Sequence, residues 1–212
     1  MKTIRFIRGV IGRYIVATST GIGYLSELTG HVTLVKTFID GEDWFMNDGS
    51  IDPRGRFWVG EVDMVALGSK WKYGGGGAGG EEDLDPDPRG RLWRCEVGDS
   101  GEMECVVMER GVVCGNGIGW SPDGRFSMFS SFVSLFGGRG GGCEFERWLT
   151  AVREIVYFND SVGVVWRYDF DGEKGEISNR VPLVKVQEKG VLNDGMVVEY
   201  VSNPRSALLL VC

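Results

Sequence analysis

Asparagine is followed by glycine, directly or after one aspartate, at three places in the chain: residues 47–49 (NDG), 116–117 (NG) and 193–195 (NDG). Asparagine and aspartate side chains carry the hard oxygen donors that suit Ca²⁺, Mg²⁺ or Mn²⁺, and Zn²⁺ also accepts carboxylate and water oxygens. Asn-Gly and Asp-Gly are also the pairs most favoured in two-residue β-hairpin turns. We therefore expect hairpin turns at these places, and ask whether the turns also present ligands to one cation.

The elements that would position these residues are short strands. The 212 residues include 34 glycines but only 6 prolines, and 42% of them are hydrophobic, which indicates one globular core with many tight turns. Runs of β-branched and aromatic residues separated by glycine predict an all-β fold. The clearest predicted strands are residues 13–18, 21–25, 31–38, 56–60, 90–95, 104–108 and 164–169. One segment, 143–156, favours a helix instead.

A proline-x-glycine-arginine motif recurs before an apolar run in IDPRGRFW (51–58), PDPRGRLW (86–93) and WSPDGRF (120–126). We expect a turn followed by a strand at each copy. Two segments interrupt the repeat: a flexible glycine-rich and acidic loop at 68–87, and an insertion at 127–154.

The spacing of the oxygen donors is consistent with such a repeat. Asn47 and Asn116 are 69 positions apart, and Asn116 and Asp194 are 78. Without the two interrupting segments both spacings become about 50 residues, near the ~40–50-residue period of β-propeller blades. Equivalent positions on successive blades face the same end of the central channel, so Asn116 and Asp194 could share one cation.

Composition argues against several other classes of protein. A net charge of −7 and a pI near 4.9 disfavour binding to nucleic acid, and no segment has the length of a transmembrane helix. The five cysteines form no C-x-x-C pair, and a single histidine, His31, cannot complete a zinc set with them. Because the cysteine number is odd and their spacing scattered, we predict reduced thiols and a cytoplasmic protein.

Five segments in order, FMNDGSIDPRGRFWVG, CGNGIGWSPDGRF, VYFNDS, WRYDFDGEKGEISNR and NDGM, resemble the senescence-marker-protein/gluconolactonase/luciferin-regenerating-enzyme-like (regucalcin-like) family. The resemblance extends from about Arg13 to Val198. It implies a six-bladed β-propeller with one divalent metal ion (Ca, Zn, Mg or Mn) at the mouth of the channel. For many members it also implies hydrolysis of a sugar lactone.

The resemblance also implies roles for individual residues. Asn116 and Asp194 look like metal ligands, Asn47 like a contact to a substrate hydroxyl, and Asp194 like the general base that acts on a metal-bound water. The chain departs from the family at Phe45, where the family has arginine. The family's glutamate ligand has no counterpart here, and Glu61 is a candidate for a substitute polar contact.

The same comparison predicts a single partial propeller domain over 1–212, with about four of the six blades, as in a shortened or mis-spliced version of a longer protein. The expected partner is a sugar lactone or similar small molecule, and the oligomeric state stays open. The alternative function is a non-enzymatic calcium-binding or scaffold propeller.

Overall fold

The computed structural model describes residues 2–7, 9–38, 43–68, 88–121, 154–160, 164–185, 196–200 and 207–211. These residues form three four-stranded antiparallel sheets and one two-stranded sheet, each with its strands in chain order. The first sheet contains β1 (Thr3–Phe6), β2 (Arg13–Ala17), β3 (Gly21–Ser26) and β4 (Val32–Thr37). The second contains β5 (Trp44–Ile51), β6 (Phe57–Asp63), β7 (Gly90–Val97) and β8 (Met103–Val112). The third contains β9 (Gly115–Trp120), β10 (Glu154–Asp160), β11 (Val164–Asp171) and β12 (Glu176–Lys185), and the last contains β13 (Met196–Tyr200) and β14 (Ala207–Val211). The all-β prediction is confirmed.

The first strand of each sheet lies beside the first strand of the next. β1 contacts β5, β5 contacts β9, and β9 contacts β13. This arrangement brings the four first strands to one side of the sheets, as expected for propeller blades around a channel. The six-bladed parent and the count of about four blades stay predictions.

Two apolar clusters fill the spaces between neighbouring sheets. Side chains on β6 alternate between them, because Phe57 and Val59 face the cluster shared with the first sheet while Trp58 faces the third sheet. Every residue of β6 is buried as a result. Trp58 packs edge-on against Trp120, as expected for tryptophans between sheets.

Arginine side chains join the second sheet to the third. Asp52 and Arg56 form a buried ion pair at the turn before β6, with Nε and Oδ2 2.6 Å apart. From there Arg56 donates to the carbonyl oxygens of Gly172 and Glu173, in the turn between β11 and β12. Arg94 donates to the carbonyls of the next two residues, Lys174 and Gly175. Two arginines therefore hold a turn of the neighbouring sheet through four consecutive carbonyl groups.

Several local predictions need correction or lie outside the described residues. The first proline-x-glycine-arginine copy does form a turn, with Gly55 at φ +92°. In the second copy, Gly90 and Arg91 already belong to β7, because their register with β8 extends the strand to that point. The third copy lies outside the described residues beyond Ser121. The helix predicted at 143–156 is wrong at its end, where residues 154–156 belong to β10.

The predicted loop and insertion fall largely outside the described residues. Residue 68 ends a short helical segment, 64–68, and 69–87 are outside. Of the predicted insertion 127–154, only residue 154 is described, as the first residue of β10. Among the described residues, no helix is long and apolar enough to cross a membrane.

The prediction that all cysteines are reduced is wrong for one pair. Cys95 and Cys105 form a disulfide, because the register of β7 and β8 places them directly opposite each other. Cys114 is buried and takes no part in this disulfide. The remaining two cysteines, 143 and 212, lie outside the described residues. The cytoplasmic location stays a prediction that the disulfide does not support.

Candidate functional site

The Asn47-Asp48 pair lies within strand β5, where it forms a β-bulge. The register passes from Met46 opposite Glu61 to Gly49 opposite Val59, so β5 has one residue more than β6 over this interval. Met46 and Gly49 are buried, whereas both residues of the bulge are only half-buried. The extra residue therefore directs two consecutive polar side chains away from the core, which a regular strand cannot do.

Strand β9 carries the same device at Asn116-Gly117. Its register with β10 passes from Ile118 opposite Phe158 to Gly115 opposite Asp160, so β9 again has one extra residue. The hairpin-turn prediction is wrong for both motifs. Asparagine and glycine were favoured at these positions by the bulge rather than by a turn, since both suit irregular backbone.

Close contacts between glycines bring the two bulges together. A Cβ atom on Gly60 would lie 2.7 Å from the Cα of Gly115, so only glycine permits this approach of β6 to β9. Across the gap, the side-chain Nδ2 of Asn47 donates to the carbonyl of Gly115, 3.1 Å away. This hydrogen bond attaches the side chain of the first bulge to the residue immediately before Asn116.

Asn116 itself is 8% exposed and lies at the convergence of three first strands. The glycine that follows it, Gly117, touches the backbone of Met196, the first residue of β13. Of the predicted site residues, the structure therefore brings Asn47 and Asn116 into one neighbourhood. Asp194 lies outside the described residues.

Glu61 has a structural role rather than the polar contact to substrate considered above. Its side chain is fully buried and accepts two hydrogen bonds from Arg91, at 2.8 and 2.9 Å. A third comes from the indole N–H of Trp93, at 2.8 Å. All of these partners lie on the adjacent strand β7, so the carboxylate ties β6 to β7.

Two further buried carboxylates, which sequence reasoning missed, shape the backbone around the site. Asp160 accepts the N–H groups of Val113 and Cys114, just before β9 begins. Asp63 accepts the N–H groups of Val65 and Ala66, as an N-cap residue does, and also that of Arg89. The Asn-Asp wording of VYFNDS, which repeats that of residues 47–48, was a usable signal for Asp160.

The remaining carboxylate of the site is Asp48, on the first bulge. Its Oδ1 accepts the N–H of Gly49 at 2.8 Å and lies 3.1 Å from Nη2 of Arg5, on β1. Sequence reasoning also missed Arg5, which precedes the segment that resembles the family.

The donors fit a divalent cation only in part. The amides of Asn47 and Asn116 offer neutral oxygens of the kind found in such sites, but a Ca²⁺ or Mg²⁺ site needs about six or more oxygen ligands, usually with carboxylates among them. Within the described part of the chain, no group of three or more histidine, cysteine, aspartate or glutamate side chains could hold a metal. The described residues alone therefore do not make up a complete site for a divalent cation.

Comparison with known proteins agrees with this architecture. Residues 3–131, more than half of the chain, match the family model described as SMP-30/Gluconolactonase/LRE-like region. A search of solved structures finds a luciferin-regenerating enzyme with a TM-score of 0.57 and 20% identity, covering 99% of this chain and 62% of that one. It also finds a calcium-binding protein, regucalcin, from Agrobacterium tumefaciens, with a TM-score of 0.56 and 18% identity, covering 92% and 48%. At these identities the structural similarity concerns the fold.

A curated relative is an uncharacterized protein from Sulfolobus acidocaldarius, 22% identical over 196 residues. The match covers 91% of this chain and 51% of the relative. The chain therefore spans about half the length of the curated relative that it matches.

Proposed function

Because the chain belongs to the SMP-30/gluconolactonase/LRE-like family, we propose that it carries part of a metal-dependent site for hydrolysis of a sugar lactone. The observation that carries this proposal is the pair of bulges on adjacent first strands, joined by the hydrogen bond from Asn47 to Gly115. Bulges of this kind are frequent beside active sites, where they redirect side chains. The similar fold of the calcium-binding protein regucalcin supports a divalent cation as the cofactor.

In this proposal Asn116 and Asp194 hold the cation, which is Ca²⁺, Zn²⁺, Mg²⁺ or Mn²⁺. Asp194 precedes Met196 by two residues, and the backbone of Met196 lies against Gly117, next to Asn116. Asp194 supplies the carboxylate that the described residues lack. Asn47 contacts a substrate hydroxyl, because its bond to Gly115 fixes the amide and leaves Oδ1 to accept.

The reaction adds water across the ester bond of the lactone ring. When bound, the cation polarises the carbonyl and lowers the pKa of a coordinated water. Asp194 takes a proton from the attacking water, whose oxygen bonds to the carbonyl carbon. The ring C–O bond then breaks, the departing oxygen takes the proton back from Asp194, and the product is an open hydroxy acid. Asn47 holds the sugar during these steps.

The alternative is a non-enzymatic calcium-binding or scaffold protein. Its support is the commitment of the described carboxylates near the bulges: Asp48 pairs with Arg5, and Glu61 pairs with Arg91. Phe45, on β5 beside the first bulge, removes the charge that the family places there. We keep the cytoplasm as the proposed compartment for either function.

Metal titration and a lactone assay on the whole chain test the proposal. We expect calorimetry to detect binding of one of the four cations, and pH-stat titration to detect hydrolysis of glucono-1,5-lactone that EDTA abolishes. Asn116→Ala should weaken metal binding by at least about tenfold, the loss that even indirect partners of metal ligands produce. Asp194→Ala should abolish hydrolysis, while Asp99→Ala, in the exposed turn before β8, serves as the matched control.

The outcomes separate the candidate functions. Metal binding that depends on Asn116 without any lactone hydrolysis would favour the calcium-binding alternative. Hydrolysis that persists in Asp194→Ala with unchanged metal dependence would contradict the role of Asp194.

A further inference from the structure

Two cationic side chains of the first sheet lie against the first bulge. Nζ of Lys2 lies 4.0 Å from the ring centroid of Phe45, a cation–π distance. Arg5 reaches Asp48, three residues further along the same strand. Together Lys2 and Arg5 flank the segment of β5 that contains Asn47.

The cations exceed the negative charge that they meet. Lys2 and Arg5 contribute two positive charges, and Asp48 contributes one negative charge. Within the described part of the chain, Lys2 has no ion pair with a carboxylate. Counted over the described residues, the neighbourhood of the bulge therefore has one positive charge without a paired carboxylate, in a chain whose net charge is −7.

Arg5 also keeps donors for a ligand. A guanidinium has five N–H groups. Arg5 uses both of those on Nη1 for Thr3 Oγ1 and Ile4 O, at 2.8 and 2.9 Å, and one on Nη2 for Asp48. Among the described residues, Nε–H and the second Nη2–H have no acceptor. The bonds on Nη1 fix the guanidinium plane, so the two remaining donors are held in a defined direction.

The position is fixed yet accessible. The backbone N–H of Lys2 donates to the carbonyl of Ala17, which anchors the residue beside β2. The side chains of Arg5 and Asp48 are 36% and 29% exposed, so a ligand can reach them from solvent. Adjacent guanidinium donors suit a carboxylate, whose two oxygens accept in one plane.

We propose that Lys2 and Arg5 form a carboxylate-binding subsite beside Asn47, and that the substrate is a sugar lactone carrying a separate ionised carboxylate. This inference rests on the proposed function for its choice of ligand, since Asn47, the proposed sugar contact, adjoins Asp48, which Arg5 reaches.

Binding of two sugar acids tests the subsite independently of catalysis. The probes are glucarate, with two carboxylates, and gluconate, with one, titrated into the full chain at low salt with EDTA present. We expect glucarate to bind more tightly than gluconate, and added NaCl to reduce the difference. Arg5→Gln should weaken glucarate binding by about tenfold, the loss expected for a charge-assisted hydrogen bond.

Three variants serve to separate binding from folding. Asp48→Asn should tighten glucarate binding, because it removes the competing carboxylate and leaves Arg5 in place. Lys2→Gln should weaken it without disturbing the Arg5–Asp48 pair. Lys36→Gln removes the same charge from an exposed position on β4 of the same sheet, and it should have no effect.

The results distinguish this inference from the proposed function. Arg5-dependent glucarate binding in a chain that hydrolyses no lactone would retain the subsite and overturn the activity. Glucarate affinity equal in Arg5→Gln and Lys36→Gln would overturn the subsite, even if gluconolactone is hydrolysed. Inorganic phosphate that binds as tightly as glucarate would also overturn it, by showing a general anion site.

Discussion

The bulge at Asn47-Asp48 lies within β5 and the turn at Asp52–Arg56 directly follows that strand, yet they use similar residues in opposite ways. In the turn, the carboxylate of Asp52 accepts four hydrogen bonds. Two come from backbone N–H groups, one from the Arg56 side chain and one from the indole of Trp58. In the bulge, Asn47 and Asp48 stay half-buried. Aspartate saturated by protein donors stabilises the fold, whereas the same chemistry left partly open to solvent is available to a ligand.

Removing the carboxylate of the turn should have the largest effect, and it tests most directly whether the turn stabilises the fold. Asp52 and Arg56 are 3% and 6% exposed, so Asp52→Ala leaves the buried Nε–H of Arg56 and the indole N–H of Trp58 without their acceptor. We expect a loss of about 3–5 kcal/mol in the free energy of unfolding, the usual result of breaking a buried pair. Urea denaturation measures it, with Asp99→Ala as the exposed control.

A loss below about 1 kcal/mol, the value of an exposed ion pair, would contradict the assignment of Asp52 to the scaffold. The contacts of Arg56 and Arg94 with residues 172–175 would then have to hold the two sheets without the buried pair.

Glu61 sharpens the comparison, because it lies on the strand next to the bulge and yet belongs with the scaffold. Glu61→Ala removes three hydrogen bonds and leaves Arg91 without its carboxylate partner. The side chain of Arg91 is 28% exposed and can partly turn to water. We expect about 3 kcal/mol of destabilisation, at the low end for a broken buried pair. Chemical denaturation measures this loss, and calorimetry of the folded variant should show unchanged metal affinity.

A marked fall in metal affinity for Glu61→Ala, with folding intact, would move this residue from the scaffold to the site. Glu96→Ala, which removes a partly exposed carboxylate paired with Arg94 on β7, is the matched control.

The disulfide joins β7 to β8, the last two strands of the second sheet, by a covalent bond. Cys95 and Cys105 are ten residues apart, and a loop of this size gives roughly 2–3 kcal/mol in the chain-entropy model. Cys95→Ser combined with Cys105→Ser should lower the free energy of unfolding by that amount. Under denaturing, non-reducing conditions, mass spectrometry should find Cys95 and Cys105 protected from alkylation. Alkylation of both would restore the prediction of reduced thiols for this pair.

Sequence established the fold class and family because strand patterns and five ordered motifs are local features. It could not identify the bulges, since the sequence Asn-Asp-Gly is compatible both with a turn and with a bulge. The distinction depends on register with residues such as Gly60, which are brought near only by folding. Arg5 was missed because it precedes the recognised segment. The disulfide was predictable in part, because Cys95 and Cys105 are equidistant from Ser100, in the turn between β7 and β8.

The smallest expected effect concerns Tyr168, at the interface of the second and third sheets. Burial first, and then the negative charge of Glu109, raise the pKa of this phenol well above its usual range. Its hydroxyl donates to Glu109 at 3.2 Å, so Tyr168→Phe should cost about 1 kcal/mol at neutral pH. Urea denaturation at pH 7 measures this first effect.

The pH dependence of the stability lost in Tyr168→Phe tests whether water is excluded from the interface between the second and third sheets. The unfolded chain releases the phenol proton above a pH of about 10, whereas the folded chain retains it. The contribution of Tyr168 to stability is therefore complete below this pH and falls as pH rises through it, by up to about 1.4 kcal/mol per pH unit.

Tyr168→Phe should flatten that decline in urea midpoints between pH 9 and 11, an interval chosen around the value of about 10. Tyr14→Phe should flatten it less, because Tyr14 owes its raised pKa chiefly to a hydrogen bond with Glu27 that is exposed to solvent. If the urea midpoints of both variants had the same slope against pH, water would reach Tyr168. The interface between the second and third sheets would then belong with the solvent-accessible part of the molecule rather than with the buried scaffold.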